Sequence, residues 1–160
     1  MDAKTDAKGR VFVPAAFRKI LQTAEDARLV MRKDIYKDCL VLYPLTAWEA
    51  ELAKLHERLD EYDEEQNDFY QCFVADSEVL EMDSNGRILI GKRYLQLANV
   101  SSDVRFVGMD DKIRIWSRAN FDAFMKQNNE GFKLNARKFL SKQGIAGRAR
   151  NDGDNNDNKE

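Results

Sequence analysis

The sequence predicts an α+β chain made of two tandem copies of one small β-rich unit, with helices added. Three observations carry that prediction. The stretch 5–21, TDAKGRVFVPAAFRKIL, returns at 82–98 as MDSNGRILIGKRYLQLA, with Asp6 and Asp83, and Arg10 and Arg87, each 77 positions apart. Two copies in register with similar flanks mark an internal repeat. Each copy is followed by paired β-type runs. Between and after the copies lie amphipathic helical patterns rich in aromatic residues.

The motif is understandable locally. Asp-Ala-Lys-Gly (6–9) and Asp-Ser-Asn-Gly (83–86) are turn sequences. Their Asp carboxylate can accept from backbone N–H groups a few residues on, and Gly9 and Gly86 can take positive φ without steric cost. Arg10 and Arg87 then open a strand at the rim of a tight turn. Val11-Phe12-Val13 and Ile88-Leu89-Ile90 are almost wholly apolar, which predicts strands buried on both faces. The same residues would also serve a plain structural turn in which Asp and Arg pair with each other.

Along the chain, 2–5 reads as the end of a strand, matching 78–82 in the second copy. Pro14 is well placed at the first turn of a helix over 15–21, with Phe17, Ile20 and Leu21 inward and Arg18 and Lys19 outward. Runs 28–33 and 39–43 predict two strands around a polar turn, and Pro44 stops the second. Thr46 with Glu49 three residues on has the capping-box pattern for a helix over 47–60, where Trp48, Leu52, Leu55 and Leu59 recur at helical spacing. A further helix is expected over 64–75. The second copy repeats the plan, with a strand at 87–90, a helix at 92–98 and a strand pair at 104–108 and 113–116. Trp48 and Phe121 correspond at an offset of 73, which places about four extra residues in the first copy's turn near Asp34. Ser117 is expected to cap a helix carrying Phe121, Phe124 and Met125, and a last basic helix is expected over 132–142. The polar stretch 144–160 reads as a disordered tail.

Composition narrows the function classes. The net charge is −2, but 49–81 holds 12 acids against Lys54 and Arg58, which leaves +8 for the remainder. An acidic chain of this kind can still carry a basic face toward a phosphate backbone. No apolar run reaches membrane-spanning length, and the N-terminus has no signal-like apolar region, so neither a membrane nor a secretory route is expected. Cys39 and Cys72 lack metal or redox spacing and are expected as buried free thiols in a reducing compartment. An enzyme is a poor reading. His56 lies on a predicted solvated helix face, and the serines have no recognisable base. The carboxylates of 57–68 lack calcium-loop spacing, so neither metal nor cofactor is expected.

The motif Asp-x-x-Gly-Arg-Val-Phe-Val-Pro, followed by a short helix with Arg18 and Lys19, resembles the AbrB-type swapped-hairpin DNA-binding domain. Two copies in one chain, separated by an acidic helical insert, resemble the MraZ family. These are bacterial transcriptional regulators encoded at the head of the division and cell wall gene cluster. The resemblance covers about 2–142. It implies a double-psi-like β-barrel from two tandem AbrB-like repeats with added helices, a ring-shaped homo-oligomer, and binding to direct repeats in double-stranded promoter DNA. It divides the chain into a first repeat at 2–47, an acidic insert at 48–76, a second repeat at 77–122, C-terminal helices at 123–142 and a tail at 143–160. A regulator of this kind is expected in the cytoplasm, associated with the nucleoid. Carried over by position, the turn residues are Asp6, Gly9, Asp83 and Gly86. The DNA-binding candidates are Lys8, Arg10, Arg18, Lys19, Arg87, Lys92 and Arg93. The second copy departs from the pattern with Gly91 in place of Pro and Asn85 in place of Lys, and its motif is less basic. The competing reading is an AbrB-like antidote or protein-interaction module without a specific DNA target. It is disfavoured because both halves read as folded.

Overall fold

The computed structural model describes residues 1–21 and 27–141. The elements run β1 (Asp2–Lys4), β2 (Arg10–Phe12), α1 (Ala15–Leu21), β3 (Arg28–Lys33), β4 (Leu40–Pro44), α2 (Leu45–Arg58) and α3 (Glu64–Ala75). They continue with β5 (Glu78–Glu81), β6 (Arg87–Leu89), α4 (Lys92–Leu97), β7 (Asp103–Met109), β8 (Lys112–Ser117) and α5 (Arg118–Leu140). Two compact units result, Met1–Phe121 and the remainder from Asp122.

The repeats do not fold side by side. They exchange strands. The main antiparallel sheet has the order β1-β7-β8-β4-β3-β5. The first strand of each copy therefore pairs with the third strand of the other: β1 lies on β7, and β5 lies on β3. The equivalent strands β4 and β8 meet in the middle. A separate ribbon pairs β2 with β6, centred on Val11 opposite Ile88. Under exchange of the two copies β1–β7 maps onto β5–β3 and β3–β4 onto β7–β8, while β4–β8 and β2–β6 map onto themselves, and neither copy can complete its sheet alone. The ladders leave β1 and β5 as edges, so the hydrogen-bonded sheet does not close into a barrel.

The ribbon packs on the sheet because its alternation allows it. Val11, Val13, Ile88 and Ile90 point inward and join Leu29, Met31, Phe106 and Ile113 in one core. The expectation of strands buried on both faces fails here. Phe12 and Leu89 are 55% and 56% exposed, because nothing covers the ribbon's outer side among the described residues. A second, smaller core lies on the other face of β3 and β4. There Val30, Val41 and Tyr43 pack under Trp48 of α2 and Phe73 of α3, with the Trp48 and Phe73 rings stacked at 5.4 Å.

The extra four residues near Asp34 are real. The β3–β4 connection spans 34–39, whereas Asp110 and Asp111 alone join β7 to β8. The Asp34 carboxylate organises the longer turn by accepting from the Tyr36 and Lys37 amides and pairing with Arg114 at 2.6 Å. Two capping expectations divide. Ser117 Oγ accepts from the Asn120 amide at 3.0 Å and opens α5. Thr46 does not cap α2: the helix starts one turn position earlier, at Leu45, directly after Pro44, with no side-chain cap. Asp63 caps α3 by accepting from the Gln66 amide. The two C-terminal helices expected from the sequence are one continuous 23-residue helix, α5, since Gly131 in its interior does not interrupt it. No residue of α5 is buried, and Phe132, Leu134, Phe139 and Leu140 are exposed. The tail expected over 143–160 lies outside the described residues. Cys39 is buried, which pushes its thiol up to about 11, but Cys72 is exposed, contrary to expectation. Among the described residues no helix is long and apolar enough to cross a membrane.

Candidate nucleic-acid interface

The two Asp-x-x-Gly-Arg turns are built alike, bond for bond. In the first, Asp6 N–H donates to Arg10 O at 2.8 Å and Gly9 N–H to Asp6 O at 3.0 Å. Asp6 Oδ1 accepts from the amides of Lys8 and Arg10, each at 2.9 Å, and Oδ2 accepts from Arg10 Nε at 2.7 Å. In the second, Asp83 repeats every one of these bonds with Asn85, Gly86 and Arg87, the last through Nε at 2.9 Å. Gly9 and Gly86 sit at φ +87° and +80°, the left-handed backbone that this turn demands and that favours glycine. Hydrogen bonds from the following Arg amide hold each Asp carboxyl below its ordinary value, and the Arg side chain adds to the effect.

This chemistry decides where the arginines point. The Nε edge of each guanidinium is tied to its own Asp. The Nη groups of Arg10 and Arg87 make no hydrogen bond with the described residues. The plain structural pairing of Asp with Arg is therefore present, and it leaves the other edge of the fork available. A guanidinium held in this way can present parallel N–H groups to a phosphate or to the O6/N7 edge of guanine.

The strand exchange then brings the two motifs together, which the sequence reading did not foresee. Arg10 lies opposite Leu89, and Arg87 lies opposite Phe12. Cross-strand partners and residues two apart share a face, so Arg10, Phe12, Arg87 and Leu89 form one outward patch. The two arginines are diagonal neighbours, roughly 7–8 Å apart at Cα by ordinary sheet geometry. The Arg87 guanidinium lies 5.7 Å from the Phe12 ring centre.

The remaining candidates separate by what they touch. Lys8, Lys19 and Lys92 are exposed. Arg18 is half-buried and donates from Nε to Val13 O at 2.9 Å. Its guanidinium lies across Gly86, so close that an added Cβ there would come within 2.6 Å of it. The equivalent residue of the second copy, Leu95, lies over Gly9 less closely, its Cδ1 3.4 Å from where an added Cβ would stand. The second turn is thus less poor in cations than its own sequence suggests, because Arg18 of the first copy is placed on it. Arg93 is engaged by the Asp76 carboxylate. Among the described residues Arg18 and Arg93 accordingly have side-chain partners that the ammonium groups of Lys8, Lys19 and Lys92 lack. His56 is exposed and hydrogen-bonded to the Tyr70 hydroxyl at 2.9 Å. Among the described residues no group of three His, Cys, Asp or Glu is arranged to hold a metal ion.

A family model described as "MraZ protein, putative antitoxin-like" matches residues 2–70 and 73–142, one match per repeat. A protein from Bacteroides thetaiotaomicron named "Transcriptional regulator MraZ" is 52% identical over 84% of this chain and 86% of its own length. A Phocaeicola vulgatus protein of the same name is 52% identical over 73% of this chain and 76% of its own. One from Cytophaga hutchinsonii, also so named, is 32% identical over 88% of this chain and 91% of its own.

Proposed function

The chain belongs to the MraZ family, and from that premise we propose that it is a sequence-specific DNA-binding transcription regulator. Its target is direct repeats in the promoter of the division and cell wall gene cluster, and it acts as a ring-shaped homo-oligomer in the cytoplasm, on the nucleoid. The observation that carries the reading is the ribbon patch. Two guanidinium groups are locked by two identical turns and left open on the same outward edge. In the proposed complex Arg10 and Arg87 read base edges or clamp phosphate, and Lys8, Lys19 and Lys92 supply phosphate charge around them. Arg18 acts mainly by packing the second turn, and Arg93 lies at the margin. The apolar Phe12 and Leu89 between the arginines offer contact to sugar or to a thymine methyl group.

Assembly follows from shortage and surplus. The proposed contact set offers few cations per chain, so repeated sites gain affinity only when several subunits engage them together. Meanwhile the α5 residues Phe132 and Phe139 remain exposed on an added helix, which is the kind of apolar surface that assembly covers. In the oligomer the sheet edges and the β2–β6 ribbon are proposed to complete the barrel-like core that the ladders of one chain leave open.

Titration of promoter DNA at several salt concentrations, with light scattering on the free protein, tests this. The expected result is a multimeric mass and a slope of log affinity against log salt of roughly −0.9 per phosphate contact, well beyond what a single chain could make. A monomer with a shallow slope would overturn the mechanism and favour the antidote-like protein-interaction module.

A further inference from the structure

A second cationic site lies away from the ribbon, in an open cleft of about 590 Å³ bounded by α3, the β3–β4 turn and α4. Arg32 forms part of its wall. In strand β3 this residue stands on the same face as Val30, where the alternation calls for another apolar residue of the smaller core. It is only 7% exposed. A buried charge in such a place normally has a carboxylate partner. Arg32 has none among the described residues. Its Nη1 donates to the Lys33 carbonyl at 2.5 Å, its guanidinium lies 3.9 Å over the Phe73 ring, and its Nε is buried without any acceptor. Nη2 has no hydrogen bond to the described residues either.

The other charges of the cleft are already matched. Asp34 pairs with Arg114, Asp76 with Arg93 and Lys33 with Asp38. Among the described residues Arg32 is the charged group lining the cleft that has no ion-pair contact. Burial pulls its pKa below the ordinary arginine value in spite of Asp34 and Asp76 nearby. Around it the walls are apolar, with Phe69, Phe73, Ile35 and Ala75. A cleft of this volume is of the size that holds a small organic molecule.

We propose that this cleft binds a small organic carboxylate with an apolar or aromatic body. The carboxylate pairs with Arg32 at Nη2, and the body lies against Phe69 and Phe73. The site goes beyond the DNA-binding reading and does not depend on it: none of its residues belongs to the ribbon patch.

Calorimetric titration of the full chain with benzoate, acetate and the neutral isostere benzamide tests the proposal. Benzoate is expected to saturate at one per chain. Acetate, lacking the body, should bind at least tenfold more weakly, and benzamide, lacking the charge, should do the same. Arg32→Gln and Arg32→Lys should each weaken benzoate at least tenfold, the second because a point charge cannot reproduce the planar fork. Should either variant fail to fold, the benzoate and benzamide comparison on the natural chain still decides. Absence of saturable benzoate binding, equal binding of benzamide, or unchanged benzoate binding in a folded Arg32 variant would overturn the site.

Discussion

The first and second Asp-x-x-Gly-Arg turns share every hydrogen bond and differ in what lies on top of them. Leu95 covers Gly9, and the guanidinium of Arg18 covers Gly86. Lys8 in the first turn becomes Asn85 in the second. The repeated part is what geometry demands: a carboxylate to collect the amides, a glycine for positive φ, and an arginine whose Nε closes the loop. The varied part is what covers each glycine, and there the copies trade an apolar contact for a cation. A motif of this kind can therefore keep its shape in both halves while each half presents a different charge to a partner.

Substituting the glycines breaks the comparison most severely. Alanine at either position is forced into the left-handed region, which costs about 1–3 kcal/mol. At Gly9 the new Cβ would also come within 2.6 Å of the Ile90 carbonyl, a backbone atom directly after the neighbouring strand β6. That strand can move only by disturbing the ribbon, where Ile90 N–H donates to Gly9 O. Such overpacking adds about 1–3 kcal/mol. At Gly86 the obstacle is the far end of the Arg18 side chain, which can swing away. Gly9→Ala should therefore lower stability more than Gly86→Ala in urea unfolding. Equal losses would show that the Ile90 carbonyl yields as readily as the Arg18 side chain.

The arginines sharpen the comparison at the level of binding. Arg10→Ala and Arg87→Ala should each keep the fold and weaken promoter binding, by about 1–3 kcal/mol per engaged subunit if a bidentate base contact is lost. Because both lie on one face of the ribbon, the two losses should be of similar size in a DNA titration. Normal binding by Arg10→Ala would remove the central assignment. An effect confined to Arg10 would mean that only the first turn reaches the DNA. Unfolding of either variant would assign the Asp–Arg pair a structural role alone.

Much of this architecture was legible because it is local. The turn chemistry of Asp6 and Gly9, the Pro14 entry into α1, the Ser117 cap and the four-residue excess near Asp34 each depend on neighbours in sequence. What could not be read depends on the exchange between copies. Nothing near Phe12 says that β2 will pair with β6, so neither its exposure nor the meeting of Arg10 with Arg87 on one face was foreseeable. Arg18 looked like an outward cation of a short helix. Its place across Gly86 exists only once the second copy is folded against the first. Arg32 gave no signal at all, since a basic residue in a strand ordinarily faces water. Thr46 failed as a cap for a different reason: Pro44 already supplies the extended backbone from which a helix can start, so α2 begins before Thr46 can act.

Acid titration should separate the two turns least of all, and that near-equality is itself a prediction. Asp6 and Asp83 are lowered from the ordinary value of 3.8 by the same causes in the same order, led by the amide of the following Arg and aided by its side chain. A folded-state pKa below the unfolded one means that the unfolded chain binds more protons, so the turns contribute their full stability above the unfolded value. That contribution fades as pH falls through the folded value, and nothing should change between pH 5 and neutrality. Arg18, although it covers the second turn, is not among the groups that hold the Asp83 carboxyl down, so it should not split the pair. Carboxyl carbon shifts from NMR, followed from pH 6 down to pH 2, are expected to show both aspartates ionising together below 3.8. A midpoint for either at or above that value would show that its turn does not hold the carboxylate. A clear separation with Asp83 lower would show that the Arg18 cation reaches the second carboxylate in solution, and that the two copies differ in charge at the turn itself as well as above it.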